Sequence, residues 1–154
     1  MTEIVPFQPS DYDDAMALWR QTEGLALRGA DSREAVLHYL KRNPGTSFVA
    51  RERRTLLGAV LGGHDGRRGY LHHLAVAPSH RRRGVGRALA EHVLKALGTQ
   101  GIHKCHLMVR ADNTEALAFW AHLGWDQRAD LVLMSRTDPT APLGGDPMSG
   151  VVRC

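Results

Sequence analysis

Leu74-Ala75-Val76-Ala77-Pro78-Ser79-His80-Arg81-Arg82-Arg83-Gly84-Val85-Gly86-Arg87-Ala88-Leu89 joins an apolar strand pattern to a helical pattern through a short basic loop. The first turn of a helix leaves backbone N–H groups without intrahelical acceptors and carries partial positive charge, so a phosphate seated there meets donors already oriented. Gly84 and Gly86 lack a Cβ, which leaves room for a phosphate against the main chain. Downstream, Val85, Ala88, Leu89, His92, Val93 and Ala96 recur at helical spacing, and Gly98 reads as the stop. The stretch is therefore read as strand, anion-binding loop and amphipathic helix.

Two better-known glycine motifs do not fit it. The dinucleotide fingerprint needs a small third residue where this chain has Leu89, and the P-loop needs Gly-Lys-Ser/Thr, which is absent. The pattern that fits is R-x-x-G-x-G, from Arg81 to Gly86. After an apolar strand it resembles the acyl-coenzyme A signature of the GNAT family of N-acetyltransferases. A second segment, Val109-Arg110-Ala111-Asp112-Asn113-Thr114-Glu115-Ala116-Leu117-Ala118-Phe119-Trp120-Ala121-His122-Leu123-Gly124-Trp125, is similar to that family's strand, Asn, helix and Gly-aromatic ending. The resemblance runs from Ile4 to Arg136, and the Gly-Gly-His-Asp-Gly-Arg-Arg-Gly turn at 62–69 is similar to a subgroup of small single-domain bacterial acetyltransferases.

Composition sets compatible bounds. A chain of 154 residues, 43% hydrophobic and 23% charged, fits one domain with its own core. Residues 1–136 are read as that domain and 137–154, rich in Pro and Gly without apolar periodicity, as a mobile tail. No window is long and apolar enough for a membrane span and no basic-then-apolar leader is legible, so the expected location is cytoplasmic. Cys105 lies in a strand pattern and Cys154 is the last residue, a poor pair for a structural disulfide.

The remaining elements follow from periodicity and punctuation. Residues 2–7 read as a strand, and 11–23 as a helix with acidic residues in its first turn. Asp31 and Glu34 have capping-box spacing ahead of a short helix that ends before Pro44. Strands are expected at 46–53, 56–63 and 69–77, with turns at Arg53-Arg54 and at 65–68. A helix at 84–97, a strand at 103–110, a helix at 113–123 and a strand at 125–135 complete the order βααβββαβαβ. The fold class is α/β (α+β): a mixed, mostly antiparallel sheet with helices on both faces. The GNAT resemblance adds a splay between the fourth and fifth strands.

The resemblance also implies a co-substrate, acetyl-CoA, and residues to hold it. Leu74, Ala75 and Val76 would pair with the pantetheine arm, and the amides of Arg82, Arg83, Gly84, Val85, Gly86, Arg87 and Ala88 would hold the pyrophosphate. Arg81, Arg82, Arg83 and Arg87 would draw in the polyanion. Asn113 would contact the cofactor arm, although its position also suits a helix cap. Acetyl transfer to an amine needs a base and a stabilised oxyanion. The Val76 N–H is the implied oxyanion donor. Tyr70, His72 and Leu74 alternate onto one strand face and His73 onto the other; His72 and His73 are the candidate bases, with His72 nearest the family's catalytic Glu. Adjacent strand residues make a poor metal pair, and no metal site is expected.

The chain departs from the family at Trp120, where a tyrosine usually protonates the leaving thiolate. Indole cannot supply that proton, and Tyr70, Tyr39 or water is the candidate substitute. The reading is an N-acetyltransferase acting on a small-molecule or peptide amine by direct attack. Its alternatives are a non-catalytic coenzyme A binder and a basic nucleic-acid module. The net charge of +4 permits the last, but no nucleic-acid motif is legible. The acceptor would lie against residues 23–31 and the ends of the last two strands, and Glu23 and Asp31 could attract a cation. Homodimers formed through the C-terminal strands are common in the family, and the sequence leaves the oligomeric state open.

Overall fold

The computed structural model describes residues 1–25 and 27–141. Ala26, Cys154 and the part of the expected tail beyond residue 141 lie outside the described residues. Five strands form one sheet in sequential order: β1 (Glu3–Pro6), β2 (Phe48–Glu52), β3 (Thr55–His64), β4 (Gly69–Val76) and β5 (Cys105–Leu107). The first three pairings are antiparallel and β4–β5 is parallel. The two tight hairpins fall where turn chemistry puts them. Asp65 Oδ1 accepts from the amides of Arg67 and Arg68, both at 2.8 Å, and Gly66 takes φ 95°.

Among the described residues, four α-helices cover both faces. On one side lie α1 (Tyr12–Gln21) and α2 (Arg33–Arg42), whose Trp19 and Val36 pack on Val49, Ala59 and Leu61. On the other lie α3 (Val85–Thr99) and α4 (Thr114–His122), where Leu89, Val93, Leu97 and Trp120 pack on Phe48, Val60 and Leu71. Each such buried side chain contributes about 1.5–3 kcal/mol of transfer free energy. Close seating of α3 depends on Gly62, where a Cβ would fall 2.6 Å from Val93 Cγ1.

The expected fold class holds, with three differences in its details. The helix reaches through Gly98 to Thr99, and the left-handed residue beyond it is Gly101, φ 80°. Ser32, not Asp31, caps α2, its Oγ accepting from the Ala35 amide at 3.2 Å. The expected strand at 125–135 is not part of the sheet. Beyond Trp125, which packs against Trp120, its large apolar residues are the consecutive run Leu131–Met134, all exposed, and among the described residues no neighbouring strand supplies the backbone partners that a strand requires.

Candidate functional site

The sheet opens at one place. β4 and β5 pair only at Gly69–Cys105, Tyr70–His106 and Leu71–Leu107, so the two strands part from His72 onward. The Ala77 N–H donates to the Leu57 carbonyl at 2.7 Å, which fixes the alternation along this part of β4. Ala77 and Ala75 turn their groups to β3, whereas the Val76 N–H and the Leu74 and Val76 carbonyls turn into the gap. Of the three residues expected to meet the pantetheine arm, Ala75 is thus spent on the sheet. The Val76 carbonyl accepts from Arg81 Nε at 3.1 Å, which gives that arginine an internal partner.

The basic loop leads into α3 through Arg82 at φ 61° and Gly84 at φ 80°. The Ala88 amide donates to the Gly84 carbonyl at 3.0 Å as the helix begins. Among the described residues, the amides of Arg82, Arg83, Gly84, Val85, Gly86 and Arg87 have no acceptor, the condition an anion site needs. The Ala88 amide is already engaged. Open space surrounds Gly84, whereas a Cβ on Gly86 would come within 3.2 Å of Phe119 Cζ and 3.6 Å of Leu74 Cδ2. Gly86 therefore lets α3 and α4 approach each other, and only Gly84 provides the open approach expected of both. Arg82 and Arg83 are exposed beside this turn, and Arg87 Nε pairs with Glu91 Oε1 at 2.9 Å.

The two histidines depart from the expected alternation. Ala59 pairs with Ala75 but Leu61 pairs with His72, so β4 carries one residue more than β3 and forms a bulge. His73, at φ 54°, takes up the extra residue. The bulge turns His72 and His73 to the α1/α2 face and sends Leu74 to the α3/α4 face, so His72 and Leu74 do not share a face. His72 stacks on Tyr70, with centroids 6.4 Å apart and planes at 6°, and meets Tyr39 edge-on at 6.1 Å. Burial, reinforced by the charge of His73, holds the His72 pKa below the ordinary histidine value, against a smaller opposite effect of Asp31.

His72 opens on a cleft of about 270 Å³ walled by Tyr39, Asn43, Gly63 and Tyr70. The Tyr39 hydroxyl is buried without a hydrogen-bond partner, and burial raises its pKa well above the usual tyrosine range. It is thus a poor acid. His73 is held differently: its Nε2 donates to Asp31 Oδ1 at 2.6 Å, and its carbonyl accepts from Trp19 Nε1 at 2.8 Å. Asp31 is 7% exposed and faces this histidine, not an incoming amine. Burial alone would raise its pKa, but the His73 hydrogen bond and the Arg28 amide outweigh this and lower it. The sequence signals for Asp31 pointed to a cap; its long-range partner follows only from the fold.

Asn113 caps α4, its Oδ1 accepting from the Ala116 amide at 3.1 Å, while its Nδ2 lies against Gly24 of the loop after α1. These two loops bound a cleft of about 560 Å³ that includes Glu23, Leu25, Arg110 and Glu115. Trp120 is 8% exposed and belongs to the core, stacked edge-on with Phe119 and Trp125.

A family model described as Acetyltransferase (GNAT) family matches residues 12–125. The chain belongs to the GNAT acetyltransferase family. GNAT proteins are acyltransferases, and acetyl-CoA-dependent acetylation of amines is the general kind of reaction they perform. A relative from Yersinia pestis (strain Pestoides F), named acetyltransferase, is 31% identical over 134 residues, covering 87% of this chain and 94% of that one. Among solved structures, AAC(6′)-Iy in complex with the bisubstrate analogue CoA-S-monomethyl-acetylneamine gives a TM-score of 0.72 at 18% identity, covering 90% of this chain and 99% of that one. The PaiA N-acetyltransferase from Thermoplasma acidophilum, in complex with coenzyme A, gives 0.69 at 19% identity over 79% and 87% of the two chains. At these identities the structures establish the shared GNAT fold. Among the described residues, no helix is long and apolar enough to cross a membrane.

Proposed function

We propose that this chain moves an acetyl group from acetyl-CoA to a primary amine by direct attack within a ternary complex. The observation that carries the reading is the convergence of unpaired main-chain groups: the Val76 N–H in the β4–β5 gap and the free amides at the start of α3. These groups suit the amides of a pantetheine arm and a pyrophosphate, respectively. Acetyl-CoA would supply the activated acyl group; the chain's own residues orient it and handle protons. The arm would enter from the α3/α4 side, with Asn113 Nδ2 as a further donor. The Val76 N–H would meet the thioester oxygen as it gains negative charge.

The amine would approach from the α1/α2 side, where His72 stands at the point where the strands separate. The lowered pKa keeps this imidazole neutral at pH 7, in the form that accepts the amine's proton. The cleft between Glu23–Leu25 and Asp112–Glu115 suits the body of the acceptor. Cys105 does not suit a covalent route: burial pushes its thiol up to about 11. With Trp120 in the core and Tyr39 a poor acid, Tyr70 or water would protonate the departing thiolate. We extend the domain to residues 1–136, with the acceptor being a small molecule or a peptide terminus.

Trp120 favours a second reading, a coenzyme A binder without turnover, because the family's usual acid is missing. The test is to incubate the protein with acetyl-CoA and a panel of amines, including aminoglycosides, polyamines and peptides, and to follow free-thiol release against a blank without acceptor. Acceptor-dependent release supports the transferase. Calorimetric binding of coenzyme A with no release from any acceptor supports the binder, and absence of binding overturns both.

A further inference from the structure

We propose that His73, anchored by Asp31, is a positioning residue: it locks the β4 bulge and so fixes both the direction of the open strand edge and the face on which His72 stands. The functional meaning of this lock rests on the acetyl-transfer reading above; its structural content does not. A regular strand would place the side chains of His72, Leu74 and Val76 on one face. The extra residue at the bulge changes that parity, so His72 faces the α1/α2 layer while Leu74 and Val76 face α3 and α4. A base on one side of the sheet and a strand edge aimed at a ligand from the other are therefore consequences of a single backbone irregularity.

This irregularity is held by several ties at once. Residues with a Cβ rarely adopt φ near +54°, and such a conformation persists only where its surroundings over-determine it. Trp19, fully buried, donates from Nε1 to the His73 carbonyl at 2.8 Å, and its ring lies 5.3 Å from the imidazole. Asp31 Oδ1 accepts from His73 Nε2 at 2.6 Å. Asp31 is fixed in turn, since its Oδ2 accepts from the Arg28 amide at 2.8 Å and its carbonyl accepts from the Tyr12 hydroxyl at 2.6 Å. Glycine at position 73 would relax the backbone but lose the anchor. Histidine tolerates the left-handed region better than a β-branched residue and reaches the carboxylate.

The test separates backbone from imidazole. His73→Asn keeps a side chain at ease in the left-handed region, His73→Val does not, Asp31→Ala cuts the anchor, and Asp31→Asn keeps its hydrogen-bonding shape. Two readouts are taken: amide hydrogen exchange over residues 72–77 without ligand, and KM for acetyl-CoA separately from kcat. We expect His73→Val and Asp31→Ala to speed exchange over 72–77 by at least about tenfold, with β2 and the start of β3 unaffected. KM for acetyl-CoA should rise by about tenfold; Asp31→Asn should recover most of the loss, and His73→Asn, which keeps the backbone at ease but loses the imidazole anchor, should recover only part of it. Equal losses of kcat in His73→Asn and His73→Val would overturn the proposal, because the imidazole itself would then be taking part in the chemistry. Exchange in Asp31→Ala that matches the parent protein would overturn it too. If the parent protein binds no coenzyme A, the functional reading fails, while the exchange comparison still decides the lock. Should His73→Val not fold, the pair Asp31→Ala and Asp31→Asn makes the same decision.

Discussion

His72 serves as a base only when neutral, and the fold favours that form: burial disfavours the imidazolium, and the neighbouring His73 opposes a second positive charge. The pKa is lowered, so kcat/KM should fall on acidification with a midpoint below the ordinary value of about 6.5. His72→Gln should abolish this acid limb and lower kcat by about 10²–10⁴-fold. A limb that survives the substitution would place the base elsewhere. Trp120 poses the opposite question, whether a missing group matters. Because the indole is buried against Phe119 and Trp125, Trp120→Tyr should shrink a core side chain and cost about 1–3 kcal/mol, read from denaturant unfolding. Its kcat should not rise. A tenfold gain in thiol release, about 1.4 kcal/mol of barrier, would instead put the phenol within reach of the leaving sulfur.

Two glycines two residues apart do different work at the start of α3. Gly84 needs its positive φ, so Gly84→Ala should cost about 1 kcal/mol through backbone strain, and coenzyme A affinity should fall with it. Gly86→Val should cost about 1–3 kcal/mol by pushing Phe119 and α4 away, with the loss appearing first in thermal unfolding. The sequence made α3 legible because its apolar residues recur every three to four positions and the glycines precede them. It made β2–β4 legible through turn chemistry, as at Asp65 and Gly66. A single left-handed histidine inside β4 leaves no trace in a period-two pattern, so reading onward from Tyr70 put Leu74 on the wrong face. The same limit explains Asp31, whose capping-box spacing is a local signal while its partner lies 42 positions away. It also explains residues 125–135, since strand propensity cannot say whether a neighbouring edge exists.

At the scale of the whole molecule, the two groups with depressed pKa values that line the bulge link the site to global stability. His72 holds its proton less readily in the folded chain than in the unfolded chain, and so does Asp31. In both cases the unfolded state binds more protons over the affected range, so stability rises with pH there. The contribution from His72 is complete above about pH 6.5 and fades as pH falls through its lower folded value. That from Asp31 is complete above about pH 4 and fades at still more acid pH. Melting temperature should therefore fall in two stages on acidification, the first setting in below about pH 6.5 and the second below about pH 4. His72→Gln should flatten the first stage and Asp31→Asn the second, each leaving the other in place. A melting temperature that climbs as pH drops from 7 to 5 would mean that His72 gains a charged partner on folding, which would remove the basis for its role as a neutral base.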